Sequence, residues 1–216
     1  MSLEYFEINP DKGIPLGCVI FIHGLGANGK DLMPLATQLN LPQTKFIFPN
    51  GPFSVEFSPE GRGWYQLPRE NGKGIELSRQ KLMELIQGTE SSGIPAEQIF
   101  IGGFSQGAVM SLEAGLRYPK RLCGLMALSG YLHDPESILS DKAPANNGIP
   151  VLVCHGEEDD VLPVEGSREA AKLLDGEGYQ VAYHEYPIGH QVIPEELKVI
   201  RQFILTSLHR ALFPPR

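Results

Sequence analysis

Cysteine, basic charge and long apolar runs are all scarce in this 216-residue sequence. Each of its three cysteines lies within an apolar segment, and no two of them form a close pair. This pattern argues against a disulfide framework and predicts buried, reduced thiols. No cysteine and histidine spacing matches a zinc site, so we predict no bound metal.

Charge and hydropathy exclude two kinds of partner. Acidic residues outnumber basic ones by 26 to 18, which gives a formal net charge of −8. Such a chain lacks the positive surface that binds nucleic acid, so we predict no nucleic-acid partner. No apolar run is long enough for a membrane helix, so we predict no stable membrane insertion. The N-terminal segment does not have the pattern of a signal peptide, and we predict a cytoplasmic protein.

Short apolar runs alternate with longer amphipathic stretches along the chain, which suits one domain covering residues 1–216. Apolar runs without polar alternation are typical of strands buried on both faces. We therefore predict an α/β fold with a mostly parallel central sheet, helices on both faces and no large cap domain. The predicted strands are Cys18–Ile22, Lys45–Phe48, Gln98–Gly102, Leu122–Leu128, Val151–Cys154 and Gln180–Tyr186, and the predicted helices are Asp31–Leu39, Ile75–Gln87, Gln106–Tyr118, Glu165–Leu174 and Glu195–His209.

Two connections are long for a compact domain. The segment Pro49–Gly74 is rich in glycine, proline and charge, and we interpret it as a functional loop or a small excursion over the sheet edge. The same interpretation applies to His133–Ile149. Gly176 is predicted to cap the helix that precedes it.

The strongest chemical signal is the pentapeptide GFSQG, with Ser105 at its centre. It follows an apolar run and precedes a helical stretch, which is the context in which G-x-S-x-G forms the nucleophile turn of an α/β hydrolase. The flanking glycines keep the strand and the helix from clashing, and the helix N-terminus adds free N–H groups. We predict Ser105 as a nucleophile. The alternative is a glycine-rich turn with an ordinary serine.

A serine hydroxyl needs a neighbouring base, and in this fold the histidine comes last along the chain. His190 lies after the last predicted strand, at the sheet edge where open α/β folds build their sites. We predict His190 as the base. His184 is predicted to be a side chain of a strand, and His209 a surface or capping residue near the end of the last helix. His155 ends a strand and is predicted to pack or to form hydrogen bonds.

Four consecutive acidic residues follow the strand that precedes His190 in the chain. They could form a solvated loop, but their place between the serine and the histidine favours one of them as the third member of a triad. We predict Asp159 as the acid and keep Asp160 as the second candidate. The sequence His23–Gly26 (HGLG) follows an earlier strand and predicts an oxyanion hole, formed by the backbone N–H groups of Leu25 and Gln106.

With these features together, the sequence resembles the phospholipase/carboxylesterase family of α/β hydrolases, which includes the acyl-protein thioesterases, and it looks closest to the family's bacterial carboxylesterases. GFSQG and HGLG together are specific, whereas G-x-S-x-G alone is not. The segments that carry the resemblance extend nearly end to end: FIHGLGANGKDL, FPNGP, GRGWYQL, GFSQGAVMSL, ALSGYL, VLVCHGEEDDVLPV and YPIGHQVIPEEL.

The resemblance implies the same nucleophile, acid, base and oxyanion amides, and it implies that no cofactor is needed. It also implies that Trp64 and Tyr65 lie beside the active site as substrate-binding residues. Gln66 stands where an acidic residue is common in the family, and Gln191 follows the histidine where thioesterases often have serine. Because several family members look dimeric, a homodimer is left open.

We predict a serine carboxylesterase that hydrolyses short- to medium-chain carboxylic esters through an acyl-serine intermediate, with a small ester or acyl compound as its partner. Thioesters or lysophospholipids are the alternative substrates. A hydrolase fold that only binds a ligand is the alternative outside the class.

Overall fold

The computed structural model describes residues 2–10, 12–66 and 73–214, and these residues contain nine β-strands. The strands are β1 (Tyr5–Ile8), β2 (Gly17–Ile22), β3 (Thr44–Pro49), β4 (Phe53–Val55), β5 (Ser58–Gly63), β6 (Ile99–Phe104), β7 (Gly124–Leu128), β8 (Pro150–Gly156) and β9 (Gln180–Tyr186). Seven of them form one sheet in the order β1-β3-β2-β6-β7-β8-β9. Every neighbouring pair in this sheet is parallel except β1 and β3. The predicted single-domain, mostly parallel α/β fold is therefore confirmed.

Among the described residues, six α-helices cover the sheet: α1 (Gly29–Leu39), α2 (Lys73–Ser91), α3 (Gln106–Gly115), α4 (Pro135–Asp141), α5 (Glu165–Gly176) and α6 (Pro194–Leu212). Alternate residues of β2 enter opposite cores. Ile20 packs in a cluster that includes α2, α3 and α5, whereas Phe21 packs in a cluster with α1 and α6. This burial on both faces explains why the strands lack polar alternation. Within the described ranges, no helix has both the length and the apolar character needed to cross a bilayer.

The structure adds an edge strand and corrects several helix ends. Helix α2 ends four residues beyond the predicted Gln87, and α6 ends three residues beyond the predicted His209. β1 is a short antiparallel strand whose residues are exposed or half-buried, so it lacks the apolar run that identified the other strands. Helix α3 ends at Gly115, three residues before the predicted end. Helix α5 includes Gly176, and the left-handed residue beyond it is Gly178, at φ +83°. Two bonds characteristic of a Schellman cap form there, from the Gly178 N–H to the Asp175 carbonyl and from the Tyr179 N–H to the Leu174 carbonyl.

Both long connections contain regular structure. In the first, β4 and β5 form a hairpin apart from the main sheet. Residues 67–72 of that segment lie outside the described residues, and so does the final Leu67 of the GRGWYQL segment. The hairpin pairs with the HGLG loop, because the Gly26 N–H donates to the Arg62 carbonyl and the Arg62 N–H donates to the Ala27 carbonyl. The second connection contains α4.

Candidate active site

Ser105 lies in a sharp turn between β6 and α3, with φ 58° and ψ −121°. A non-glycine residue with positive φ is strained, and here the surroundings hold it. The Ser105 N–H donates to the Leu128 carbonyl at 2.9 Å. A Cβ atom at Gly107 would lie 2.0 Å from the Ile22 carbonyl oxygen, and one at Gly103 would lie 2.4 Å from the Gly107 backbone. Both flanking glycines are therefore required by the close approach of strand and helix.

The side chains of Ser105, His190 and Asp159 form a continuous hydrogen-bonded chain. His190 Nε2 lies 2.9 Å from Ser105 Oγ, and His190 Nδ1 lies 2.6 Å from Asp159 Oδ2. The three residues follow β6, β9 and β8, so the parallel sheet brings their loops to one edge. Because the His190 Nδ1–H donates a hydrogen bond to Asp159, the lone pair of Nε2 faces the serine hydroxyl. The structure thus brings together the three residues predicted as a triad.

The Asp159 carboxylate is buried and held by backbone donors. Its Oδ1 accepts hydrogen bonds from the Val161 N–H at 2.9 Å and from the Leu162 N–H at 2.8 Å. Burial by itself raises the pKa of Asp159, but the hydrogen bonds from Leu162, His190 and Val161 outweigh it and hold the pKa below its ordinary value. The second candidate, Asp160, is exposed, and the partner of His190 is Asp159.

The HGLG loop lies directly beside the serine. A Cβ atom at Gly24 would be 3.2 Å from the Ser105 Cβ. Gln106 begins α3, where the first N–H groups have no carbonyl in a preceding turn. The Leu25 N–H donates to no other backbone group among the described residues. Gly24 therefore lies beside the nucleophile and Gln106 follows it in the chain, and the role of the Leu25 and Gln106 amides as an oxyanion hole stays a prediction.

A buried polar network around His23 supports this loop and was not found from the sequence. His23 Nδ1 donates to the Gly24 carbonyl at 2.7 Å, and His23 Nε2 accepts from the Gly51 N–H at 3.0 Å. Burial lowers the pKa of His23 to about 4, with the Gly24 bond opposing the shift, so the ring is neutral at pH 7. The only sequence signal was its place before a glycine at a strand end, because its partner Gly51 is 28 positions away.

The side chain of Gln106 is a second feature that the sequence did not reveal. Its Oε1 accepts from the Trp64 N–H at 3.0 Å, and its Nε2 donates to the Tyr65 carbonyl at 3.0 Å. The residue after the nucleophile therefore fixes two consecutive residues of the segment that follows β5.

The structure corrects the prediction that Trp64 binds substrate. Its side chain is 0% exposed, and its indole N–H donates to the His23 carbonyl at 2.9 Å. The resemblance implied a ring that contacts substrate, but here the buried ring packs against the HGLG loop. Tyr65 is also buried, with its hydroxyl 3.4 Å from that of Tyr131. Its role toward substrate remains a prediction.

The other histidines lie where the strand and helix patterns placed them. His184 lies in β9 and His209 in the last turn of α6. His155 is buried at the end of β8 and bonds to the Leu162 carbonyl at 2.8 Å. In the part of the chain that the structure describes, no group of three or more His, Cys, Asp or Glu residues is arranged to hold a metal ion. The three cysteines are buried and unpaired with one another.

The mostly parallel sheet, with a Ser–His–Asp chain at the carboxyl ends of its strands, defines the α/β-hydrolase class. Residues 3–208 match the model of the phospholipase/carboxylesterase family. The chain is 36% identical over 211 residues to acyl-protein thioesterase 1 of Gibberella zeae, covering 88% of this chain and 90% of the relative. It is 30% identical over 205 residues to a probable carboxylesterase of Oryza sativa subsp. japonica, covering 88% and 77%.

Among solved structures, esterase PE8 is similar over 96% of this chain and 100% of its own, with a TM-score of 0.88 and 29% identity. The chain belongs to the phospholipase/carboxylesterase family. It is a hydrolase of this carboxylesterase and thioesterase group. The resemblance noted from the sequence is confirmed.

Proposed function

We propose that the protein transfers acyl groups to water through an acyl-Ser105 intermediate. The observation that carries the proposal is the hydrogen-bonded chain from Ser105 Oγ through His190 to Asp159, at 2.9 and 2.6 Å. A serine hydroxyl is a weak nucleophile on its own, and a base at hydrogen-bonding distance activates it. A buried carboxylate behind that base fixes its tautomer and stabilises the imidazolium.

In the first half-reaction, Ser105 Oγ attacks the carbonyl carbon of the substrate while His190 Nε2 accepts the hydroxyl proton. The π electrons of the carbonyl move to its oxygen, which the N–H groups of Leu25 and Gln106 stabilise. The tetrahedral intermediate then collapses, and the bond to the leaving group breaks. His190 returns the proton to that group, and the acyl chain stays on Ser105.

In the second half-reaction, water replaces the leaving group. His190 Nε2 accepts a proton from the water as its oxygen attacks the acyl carbon, and the same two amides stabilise the new oxyanion. When the bond to Ser105 Oγ breaks, His190 returns the proton to the serine. The products are a carboxylic acid and the free enzyme, so no redox partner is required.

Acyl thioesters are the substrate class that we propose first, and short- to medium-chain carboxylic esters come second. The relative in Gibberella zeae supports thioesters by its name, whereas the rice relative and esterase PE8 support esters. The catalytic groups suit both, because both substrates present a carbonyl to Ser105. They differ in the leaving group, since a thiolate departs without the proton that an alkoxide needs from His190.

A matched pair of substrates tests this order. We would compare kcat/KM for S-octanoyl-N-acetylcysteamine and for its oxygen-ester analogue, with lysophosphatidylcholine as a third substrate. After correction for uncatalysed hydrolysis, we expect the thioester to be hydrolysed at least about tenfold more efficiently. The opposite order would make carboxylic esters the principal class, and a preference for the third substrate would indicate a lysophospholipase.

The control for the whole proposal is Ser105→Ala. We expect its kcat to fall by about 10⁶, the loss that the subtilisin nucleophile shows on removal. Circular dichroism and the thermal midpoint should stay close to those of the parent. A pure Ser105→Ala protein that turned over either substrate within tenfold of the parent would refute the acyl-serine mechanism. Ligand binding without turnover by the parent would favour the non-catalytic alternative.

A further inference from the structure

Besides His190, a second histidine, His155, contacts Asp159, the acid of the triad. It lies in β8, and its side chain is fully buried. Its Nε2 is 2.8 Å from the Leu162 carbonyl oxygen and 3.3 Å from Asp159 Oδ2. Both neighbours accept hydrogen bonds, so the ring proton of the neutral imidazole must be on Nε2. That N–H donates to Leu162, and the same polar edge of the ring faces the carboxylate.

Packing alone does not account for this imidazole. Its other nitrogen, Nδ1, is buried and has no hydrogen-bond partner within the described ranges. A buried acceptor without a partner destabilises the folded chain, and an apolar ring of similar size would avoid that loss. The polar edge at Nε2 is therefore the feature that distinguishes histidine from phenylalanine at this position.

The bond to Leu162 closes the loop that carries Asp159. His155 holds the Leu162 carbonyl, and the N–H of the same residue donates to Asp159 Oδ1 at 2.8 Å. The Val161 N–H donates to the same oxygen, which leaves Oδ2 directed at His190. If Leu162 were released, the carboxylate would lose a fixed donor on the side opposite the base.

We propose that His155 is a positioning residue for the triad's acid: it anchors Leu162 so that Asp159 is held in the orientation that serves His190. This inference rests on the proposed acyl-serine mechanism. Its effect is on the rate of the chemical step, because geometry at the acid affects the base more than it affects substrate binding. Small displacements of a catalytic group can lower a rate by about 10².

The charged groups around His155 come from three elements. Asp159 lies in the loop after β8, His190 lies in the loop after β9, and Glu185 lies in β9 opposite His155 and binds Arg168. When Asp159 loses donors, its affinity for a proton rises. The carboxylate of Asp159 is then protonated at a higher pH than in the parent, so the acid limb of the kcat/KM profile shifts upward.

Three variants at position 155 and a neighbouring control test this. His155→Phe and His155→Met keep an apolar volume but have no donor, whereas His155→Gln can place an amide N–H near the position of Nε2. His184→Phe, on the adjacent strand, is the control. Active sites are counted with a serine-directed organophosphonate, so that misfolded protein does not enter the rates.

We expect kcat to fall about 10- to 100-fold in the Phe and Met variants, with KM within about threefold and the acid limb at higher pH. The Gln variant should recover most of kcat and the parent's profile, and His184→Phe should match the parent. Phe and Met variants with an unchanged profile and unchanged kcat would overturn the inference while the parent remained active.

A measurement on the unmodified protein serves as an independent test and does not depend on any variant folding. Long-range ¹H–¹⁵N NMR of the parent should show His155 as the neutral tautomer protonated at Nε2. A proton on Nδ1 would overturn the inference. Turnover by Ser105→Ala at the parent's rate would refute the acyl-serine mechanism and this inference with it. Loss of turnover in Ser105→Ala together with unchanged position-155 variants would refute this inference alone.

Discussion

At the scale of single residues, two adjacent aspartates follow β8 and only one of them contacts the base. Asp159 is buried against His190, and Asp160 is exposed. We expect Asp159→Asn to lower kcat by at least about 10², since the trypsin-like example loses about 10⁴ when its acid loses its charge. Asp160→Asn should lower kcat by less than about tenfold. Steady-state kinetics on both variants provides the check, and the reverse ranking would contradict the observed triad.

Trp64 gives a second residue-scale prediction. Because the ring is buried beneath the HGLG loop, Trp64→Ala should destabilise the fold by about 3–5 kcal/mol. It should lower kcat/KM by the same factor for butyryl, hexanoyl and octanoyl esters. Urea unfolding and a chain-length series measure the two effects. A loss confined to the longer acyl chains would instead return Trp64 to the substrate pocket.

At the scale of elements, the nucleophile turn depends on the close packing of β2 against α3. We expect Gly107→Ala to lose most activity and to unfold at lower denaturant concentration, because its Cβ would lie 2.0 Å from the Ile22 carbonyl oxygen. Gly88→Ala is the matched control, since Gly88 lies in the last turn of α2 and a Cβ there meets nothing within 4 Å. The free energy of unfolding of Gly88→Ala should exceed that of the parent by about 0.5–1 kcal/mol, and its activity should be unchanged. Equal behaviour of the two variants would show that the turn tolerates expansion.

The oxyanion loop is likewise an assembly of elements. The β4–β5 hairpin supplies two backbone hydrogen bonds to it, and Gln106 ties the segment after β5 to the start of α3. Three stretches that are distant in the chain therefore hold the HGLG loop and the start of α3 beside Ser105. Sequence motifs predicted the two amides of the oxyanion hole, but most of the hydrogen bonds that hold this loop involve backbone groups, which carry no sequence signature.

At the scale of the whole molecule, one buried acid couples folding to pH. Glu196, in the first turn of α6, is 2% exposed, and burial raises its pKa to about 7 despite a hydrogen bond from the Ile193 backbone. A raised pKa means that the folded state favours the protonated form. Stability from this group is complete below its ordinary pKa of 4.5 and is lost as the pH rises through about 7.

Glu196→Gln keeps the acceptor for the Ile193 N–H and removes the charge. Its free energy of unfolding should equal that of the parent near pH 4.5 and exceed it by up to about 3 kcal/mol above pH 7, at about 1.4 kcal/mol per pKa unit. Chemical denaturation between about pH 4.5 and pH 8.5 measures the difference, with Glu195→Gln, at an exposed position, as control. A gain that did not vary with pH would show that Glu196 does not titrate in this window.

How far the sequence predicted the molecule depends on the range of each interaction. Apolar runs predicted six strands of the main sheet to within two residues at each end, because burial on both faces leaves a local pattern. The edge strand β1, the hairpin and α4 were not predicted. Most residues of β1 and of the hairpin strands are exposed or half-buried, so their pairing partners determine these strands more than their own composition does.

The sequence by itself determined the α/β fold, the nucleophile turn and the order of serine, acid and base, because each depends on residue types at fixed local spacing. Only the tertiary structure decided that the partner of His190 is Asp159 and not Asp160. It also showed that Trp64 is buried against the HGLG loop and that His155 contacts Asp159. Those outcomes depend on which way a side chain points once distant strands align. Register and packing across the sheet fix that direction, and both are properties of the assembled chain rather than of any segment.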